Sequence, residues 1–156
     1  MKFARFLHPE IVFLDLPCRD KKGTIEFMAE KLCRYYDISH KDELIRDVLD
    51  REQIKSTGLG NGLAVPHGRT DLVDNLYVLV ARSMKGIEWD APDGKAAHYI
   101  FFIIGPSKLA REYLEALGDI SRIMVRHEIR EGIHKAKTAG EIIDIIRRSG
   151  ARHKKR

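Results

Sequence analysis

Cysteine is scarce in this sequence, and long apolar runs are missing altogether. The 156 residues include two cysteines, Cys18 and Cys33, which cannot form a disulfide framework and are expected to be reduced thiols. No window reaches the roughly 18 uninterrupted apolar residues of a membrane span. The apolar N-terminal stretch is interrupted by Arg5 and Glu10 and lacks a small-residue cleavage site, unlike a signal peptide. We therefore expect a cytoplasmic protein without membrane insertion.

The sequence also has little net charge outside its C-terminal end. Its 28 basic and 23 acidic residues leave a net charge of +5. Residues 147–156 contain no acid and six cations: Arg147, Arg148, Arg152, Lys154, Lys155 and Arg156. Without those six, the body has a net charge of −1, so the high isoelectric point reflects a tail. We predict one domain over 1–146, a basic tail over 147–156 and no nucleic-acid partner. Salt-dependent binding of nucleic acid by the tail is an alternative hypothesis.

Strand-like and helical segments follow one another along the chain. Residues 10–16 are rich in β-branched and aromatic residues, and 75–83 and 96–105 are the most strand-like segments. The second of these is apolar on both faces from Tyr99 to Ile104, as in a central strand. Apolar residues recur at helical spacing over 25–36 and again over 113–124. These elements predict an α/β fold, a three-layer α/β/α domain whose central mixed sheet has four to five strands.

Several residues carry signals for the ends or packing of these elements. Ser39 with Asp42, and Thr138 with Glu141, have the spacing of a capping box, which predicts a helix start at each place. Gly150 predicts the end of the last helix, because glycine is favoured just past a helix C-terminus. Trp89 lies in a predicted hairpin, so we expect it to pack on the sheet, with a position beside a partner surface as the alternative.

The most informative stretch is residues 51–69, REQIKSTGLGNGLAVPHGR. A P-loop would need glycine at positions 49 and 54, where the sequence has Leu49 and Ile54. A dinucleotide fingerprint would need a helix directly after its third glycine, but here the glycines stand at 58, 60 and 62 and a proline follows. The spacing therefore excludes both of these nucleotide-binding motifs.

Two chemical roles remain open for this stretch. Glycines allow the backbone N–H groups and the hydroxyls of Ser56 and Thr57 to surround an anion, although a plain glycine-rich turn would have the same composition. Near neutral pH one nitrogen of His67 is free to attack phosphorus while the other holds a proton. The alternative is a histidine that only packs or faces solvent.

Residues 51–67 resemble a motif of a known family, the type-2 IIA proteins of the bacterial phosphoenolpyruvate-dependent phosphotransferase system. This is the fructose, mannitol and nitrogen-regulatory group. Arg51 to His67 follows its pattern R-E-x-x-x-S-T-G-[IL]-G-x-G-[IV]-A-[IV]-P-H at the same spacing, with Leu63 in place of Ile or Val. The order of elements is similar from about residue 9 to residue 146. The resemblance implies a phosphotransferase component, and because the chain fits one domain and shows no membrane segment, we expect its donor and its acceptor to be separate proteins.

The resemblance also implies partners and roles. A histidine of the carrier HPr, or of its nitrogen-branch homologue, would donate a phosphoryl group to Nε2 of His67. The group would then pass to a cysteine of a IIB domain in sugar transport, or it would control binding to regulatory targets. Arg51 would be the catalytic cation, while Ser56, Thr57 and Gly58 would bind the phosphoryl group, the two hydroxyls by donating to it or by orienting the loop. No metal and no cofactor are required.

The sequence departs from the family in the helix after the last strand. Many members have a second histidine there, in an H-L-x-x-L segment, and the matching segment here begins with Tyr113. A phenol can donate a hydrogen bond to a phosphoryl oxygen but cannot supply a positive charge. We hypothesise that Tyr113 binds the phosphoryl group. Arg69 is a further, weaker candidate. The alternative function is a regulatory binding module of the same fold whose histidine is never phosphorylated.

Overall fold

The computed structural model describes residues 1–153. Five α-helices and six strands follow one another in an α/β order. The helices are α1 (Lys21–Tyr36), α2 (Lys41–Ile54), α3 (Ala110–Met124), α4 (His127–Lys135) and α5 (Ala139–His153). The strands are β1 (Val12–Phe13), β2 (Gly58–Gly60), β3 (Leu63–Ala64), β4 (His67–Arg69), β5 (Tyr77–Ile87) and β6 (Ala97–Gly105). Short 3₁₀ turns at Phe3–Phe6, Pro9–Ile11 and Ser107–Leu109 complete the set.

The six strands form one mixed sheet in the order β1, β5, β6, β3, β2, with β4 also paired to β6. β5 and β6 form its long antiparallel pair, and β3 and β4 run parallel to successive parts of β6. The α/β prediction is confirmed, and the sheet has one strand more than the larger expected number. The expected number was too low because β2 and β4 have only three residues each, which is too few for an alternating pattern to show in the sequence.

The sheet separates two hydrophobic cores. Ile100, Phe102 and Ile104 of β6 pack with α1 and α2, whereas Phe101 and Ile103 pack with the C-terminal helices. All five side chains are fully buried. A strand whose alternate residues enter different cores must be covered on both faces, which is the three-layer arrangement that the apolar run predicted.

The predicted helix ends were right in one case and wrong in two. Thr138 caps α5, since its Oγ1 accepts from the Glu141 N–H at 3.1 Å. The start of α2 at Ser39 was wrong: the helix begins at Lys41, and the residue before it, His40, has a positive φ and no side-chain cap. Gly150 does not end α5, which continues to His153.

Helix α5 continues past residue 146 because it packs on the N-terminal segment. The Arg147 guanidinium donates to the carbonyls of Ala4 and Leu7, both at 3.1 Å. Ser149 is buried, and a β-carbon on Gly150 would lie 3.1 Å from the side chain of Met1. The division between domain and tail that the charge pattern predicted therefore falls within a packed helix, while residues 154–156 of that tail lie outside the described residues.

Candidate functional site

His67 begins β4 and lies beside the centre of the sheet. The strand pairs with β6, where His67 is opposite Ile103. The imidazole Nδ1 is 2.7 Å from the carbonyl oxygen of Val65. A carbonyl oxygen can only accept a hydrogen bond, so Nδ1 carries the ring proton and Nε2 keeps its lone pair. The local chain thus fixes both the orientation of the ring and its tautomer.

The surroundings of His67 favour its neutral form. Burial lowers the pKa of the imidazole, and the positive charge of Arg51 lowers it further, although the Val65 hydrogen bond and the Glu52 carboxylate act in the opposite direction. Burial has the largest effect because a charged ring loses more hydration than a neutral one. A neutral imidazole with a free nitrogen is the nucleophilic form of histidine.

Tyr113 lies next to His67, as the matching position in the resemblance predicts. The two ring centroids are 5.9 Å apart and the rings are inclined by 72°. Tyr113 is 6% exposed and packs beside Gly105, on which a β-carbon would lie 3.4 Å from the phenol ring. Within residues 1–153 we find no hydrogen bond from its hydroxyl. Burial raises the pKa of Tyr113 to about 12, against the opposing charges of Arg51 and Arg69, so the phenol keeps its proton.

Arg51 lies at the end of α2, and its charge acts on both rings. It lies in the last turn of α2, and its Nη1 donates to the Lys55 carbonyl at 2.9 Å. The Lys55 carbonyl accepts from one of the five N–H groups of the guanidinium, whose positive charge lowers the pKa of both His67 and Tyr113. Arg69, at the end of β4, is exposed and acts on the Tyr113 pKa alone.

Ser56 and Thr57 use their hydroxyls inside the protein. The Ser56 hydroxyl donates to the Trp89 carbonyl and accepts from the Gly58 N–H. The Thr57 hydroxyl donates to the Glu52 carboxylate at 2.6 Å and accepts from the Trp89 indole N–H at 3.0 Å. Trp89 is fully buried, as expected of a residue that packs on the sheet. Of the two roles considered for these hydroxyls, the observed bonds fit the orienting of the loop.

Gly58 allows the loop to approach the segment after β5. A β-carbon at this position would lie 3.1 Å from the Ala91 side chain and 3.2 Å from the Trp89 carbonyl oxygen. Such distances are tighter than ordinary van der Waals contact. A residue with a side chain would therefore push the loop away from the residues that hold Ser56 and Thr57.

An ion pair between Lys21 and Glu52, which no sequence pattern indicated, contacts the loop at Thr57. Glu52 is 7% exposed and accepts from the Thr57 N–H at 2.9 Å as well as from its hydroxyl. Lys21, the first residue of α1, places its Nζ 3.1 Å from the same carboxylate and 5.6 Å from the Trp89 ring centroid. The glutamate is part of the motif, but no spacing in the sequence connects it with Lys21.

Exposed apolar side chains flank the site. Ile54 at the end of α2 is 81% exposed, Leu59 in β2 is 50% exposed and Leu114 next to Tyr113 is 64% exposed. Each belongs to an element that contributes a site residue. Exposed apolar groups of this size are common where proteins bind one another.

The described residues contain neither a cluster of metal ligands nor a helix suited to span a membrane. Between residues 1 and 153 no three histidine, cysteine or acidic side chains are grouped so that they would hold a metal ion. In the same part of the chain, no helix is both long enough and apolar enough to cross a membrane.

The family model for the EIIA 2 component of the phosphoenolpyruvate-dependent sugar phosphotransferase system matches residues 5–149. The chain belongs to this family. A fructose-specific EIIA component of Haloferax volcanii is 31% identical over 137 residues, which cover 88% of this chain and 89% of that protein. A fructose-specific EIIABC component of Bacillus subtilis is 32% identical over 94% of this chain, but this EIIA 2 chain spans only 23% of its length.

Solved structures of IIA proteins share the fold. The crystal structure of the nitrogen regulatory protein IIA-Ntr of Neisseria meningitidis superimposes with a TM-score of 0.87 and 29% identity. The match covers 94% of this EIIA 2 chain and 99% of that one. Relatives with sugar-specific names and relatives with nitrogen-regulatory names are therefore both similar to this chain.

Proposed function

We propose that this EIIA 2 protein carries a phosphoryl group on Nε2 of His67. The donor is a phosphohistidine of HPr or of its nitrogen-branch homologue. In the transfer a bond forms between Nε2 and phosphorus, while the donor's N–P bond breaks and its electron pair returns to the donor histidine. The observation that carries this proposal is the hydrogen bond from Nδ1 to the Val65 carbonyl, which leaves Nε2 unprotonated in a largely buried, neutral ring.

Two side chains are suited to the charge of the phosphoryl group. In phosphoryl transfer between two nitrogens, catalysis depends on in-line positioning and on neutralisation of the equatorial oxygens. The Arg51 guanidinium supplies the positive charge and has N–H groups beyond the one bonded to Lys55. The Tyr113 hydroxyl supplies a neutral donor, since its high pKa keeps it protonated.

In this proposal the glycine loop acts mainly by position. Ser56 and Thr57 hold the loop through bonds to Trp89 and Glu52, and Gly58 provides the close approach that those bonds need. Direct contact of these three residues with the phosphoryl group stays a prediction.

Partner proteins would dock on the face that carries the site. Ile54, Leu59 and Leu114 offer apolar contact area around it. After phosphorylation, the acceptor is a cysteine of a IIB domain or a regulatory target that distinguishes the two phosphorylation states. The expected cytoplasmic location also stays a prediction.

One observation favours a second candidate function. Tyr113 occupies the position where many family members have a second histidine, and a phenol cannot add positive charge beside the phosphoryl group. A binding module that is never phosphorylated would tolerate this residue. It would recognise its targets through the same exposed face, without any change of charge at His67.

Intact-mass measurement separates these functions. The protein is incubated with phosphoenolpyruvate, Enzyme I and either HPr or its nitrogen-branch homologue. We expect a single phosphoryl adduct that mild acid removes. His67→Ala should abolish it, whereas His127→Ala, a matched control whose side chain is 79% exposed, should not. An unmodified wild-type protein with both donors would contradict the carrier function and favour the binding module.

A further inference from the structure

A cavity of about 480 Å³ lies between the Phe3–Phe6 turn, the beginning of β5 and the first part of α3. Arg51, His67 and Tyr113 do not line it, so it is distinct from the site proposed above. Its volume is within the range of about 300 to 1,000 Å³ that is typical of small-molecule sites. The space is therefore suited to a free small molecule.

Aromatic rings form much of the cavity wall. Phe3, Phe6, Tyr36 and Tyr77 all line it. Phe6 is 70% exposed, and the Tyr36 and Tyr77 ring centroids are 4.3 Å apart. Aromatic side chains attract cations through the negative faces of their rings, and clusters of them bind organic ammonium groups.

Three carboxylates from one helix line the same cavity. Glu112, Glu115 and Asp119 follow one another at spacings of three and four residues on α3, and therefore share a helix face. Glu115 pairs with Arg111 at 3.3 Å and Asp119 pairs with Arg122 at 2.9 Å. Within residues 1–153, Glu112 makes no ion pair. Among the described residues that line the cavity, Lys2 is the one basic side chain, whereas Arg111 and Arg122 lie outside the lining, so the wall itself carries three carboxylates against one ammonium.

We propose that this cavity binds an organic cation, an ammonium or guanidinium group attached to an apolar body. The aromatic and aliphatic wall buries the body, and the carboxylates stabilise the charged end. An anion of the same shape would meet like charges. A neutral molecule would gain only the apolar contact.

This site lies close to the His67 site without depending on it. Leu76 lines the cavity, and a β-carbon on Gly105 would lie 3.0 Å from its side chain. Tyr113 packs beside the same glycine. Binding of the cation is measured on the free protein, so failure of the phosphocarrier function would leave this proposal standing.

The test uses three probes with the same 4-phenylbutyl body: 4-phenylbutylammonium, 4-phenylbutanol and 5-phenylpentanoate. Each is titrated to about 5 mM, a range suited to weak millimolar binding, while amide resonances are followed by NMR. We expect the cation to shift residues 76–78 and 112–119, to bind at least about fivefold more tightly than the alcohol, and to weaken with added salt. The carboxylate should not bind.

Two variants separate the contribution of the charge from that of the apolar wall. Glu112→Gln should weaken the cation several-fold and leave the alcohol unchanged, whereas Phe6→Ala should weaken both. Glu43→Gln, on an exposed face of α2, is the matched control and should change neither. Equal affinity for cation and alcohol, the same cation affinity in Glu112→Gln, or no shifts in these residues with the cation would each overturn the proposal.

Discussion

Replacement of Glu52 by glutamine tests whether the buried ion pair stabilises the loop at the candidate site. The Glu52 carboxylate accepts two hydrogen bonds from Thr57, at 2.9 and 2.6 Å, and lies 3.1 Å from Lys21 Nζ. Glutamine has the same shape but only one acceptor oxygen. Its NH₂ group would therefore face another donor, either at Thr57 or at Lys21.

The expected loss of stability follows from these contacts. A hydrogen bond to a charged group contributes about 1.5 to 3 kcal/mol. Removing one partner of a fully buried pair costs about 3 to 5 kcal/mol. Lys21 is 22% exposed and keeps Asp90 at 3.7 Å, so part of its charge stays solvated or paired. We therefore expect Glu52→Gln to lower the free energy of unfolding by about 2 kcal/mol.

Trp89 provides the assay. It is the single tryptophan of the chain, is fully buried and donates its indole N–H to the Thr57 hydroxyl. Its fluorescence during urea unfolding therefore reports on the loop as well as on the core. In a double-mutant cycle, Glu52→Gln and Thr57→Val should show a coupling of about 1 to 2 kcal/mol, because the two side chains share one hydrogen bond.

Glu43→Gln is the matched control for charge. Glu43 pairs with His40 at 3.5 Å with both side chains more than half exposed, and such surface pairs contribute less than about 1 kcal/mol. If Glu52→Gln cost no more than Glu43→Gln and showed no coupling to Thr57, the argument that a buried carboxylate holds the loop would be refuted.

Three further predictions concern the candidate site. The His67 imidazole should titrate by NMR below the usual value of about 6.5, and Arg51→Gln should raise this pKa. Folding favours the neutral ring, so the contribution of His67 to the free energy of unfolding is complete above its unfolded pKa of about 6.5. That contribution is lost as the pH falls through the lower pKa of the folded protein. A His67 midpoint above about 6.5 would contradict this. Tyr113→Phe should shorten the half-life of the phosphorylated protein, followed by intact mass, and an unchanged half-life would show that the hydroxyl does not bind the phosphoryl group. In urea unfolding, Gly58→Ala should destabilise the fold by about 1 to 3 kcal/mol through overpacking. The control is Gly118→Ala, which has open space around it on helix α3 and should stabilise the fold by about 0.5 to 1 kcal/mol. Equal effects of the two substitutions would contradict the steric argument at Gly58.

The main elements of the fold could be predicted because their patterns are local and long. The run of apolar residues in β6 indicated a strand covered on both faces, and the structure divides its side chains between two cores. The helix ends that were predicted wrongly depend on tertiary contacts or on backbone conformation. Gly150 stays helical because α5 packs on the N-terminal segment, and α2 begins after His40, whose positive φ no capping pattern indicates.

Part of the candidate site could also be predicted from a local pattern, the motif over residues 51–67. Arg51 and His67 belong to one short motif, which marks both residues in the sequence, although the fold of α2 and β4 brings them near each other. Tyr113 is distant in sequence and was found only through its matching position in the family. Lys21 could not be found at all, because a lysine at the start of a helix is ordinarily a solvated charge and nothing marks its carboxylate partner.

The ion pair between Lys21 and Glu52 affects the charge around His67 as well as the stability of the loop. Arg51 lowers the pKa of the ring, and the same positive charge would attract an incoming phosphoryl group. Glu52 acts in the opposite direction on both counts, since its negative charge raises the His67 pKa and would repel an anion. Lys21 and the Thr57 donors bind that carboxylate and offset its charge. In the proposed function, the contacts that fix the loop would therefore also limit the acidic influence of Glu52 on His67, so that loop stability and phosphoryl binding would depend on the same bonds.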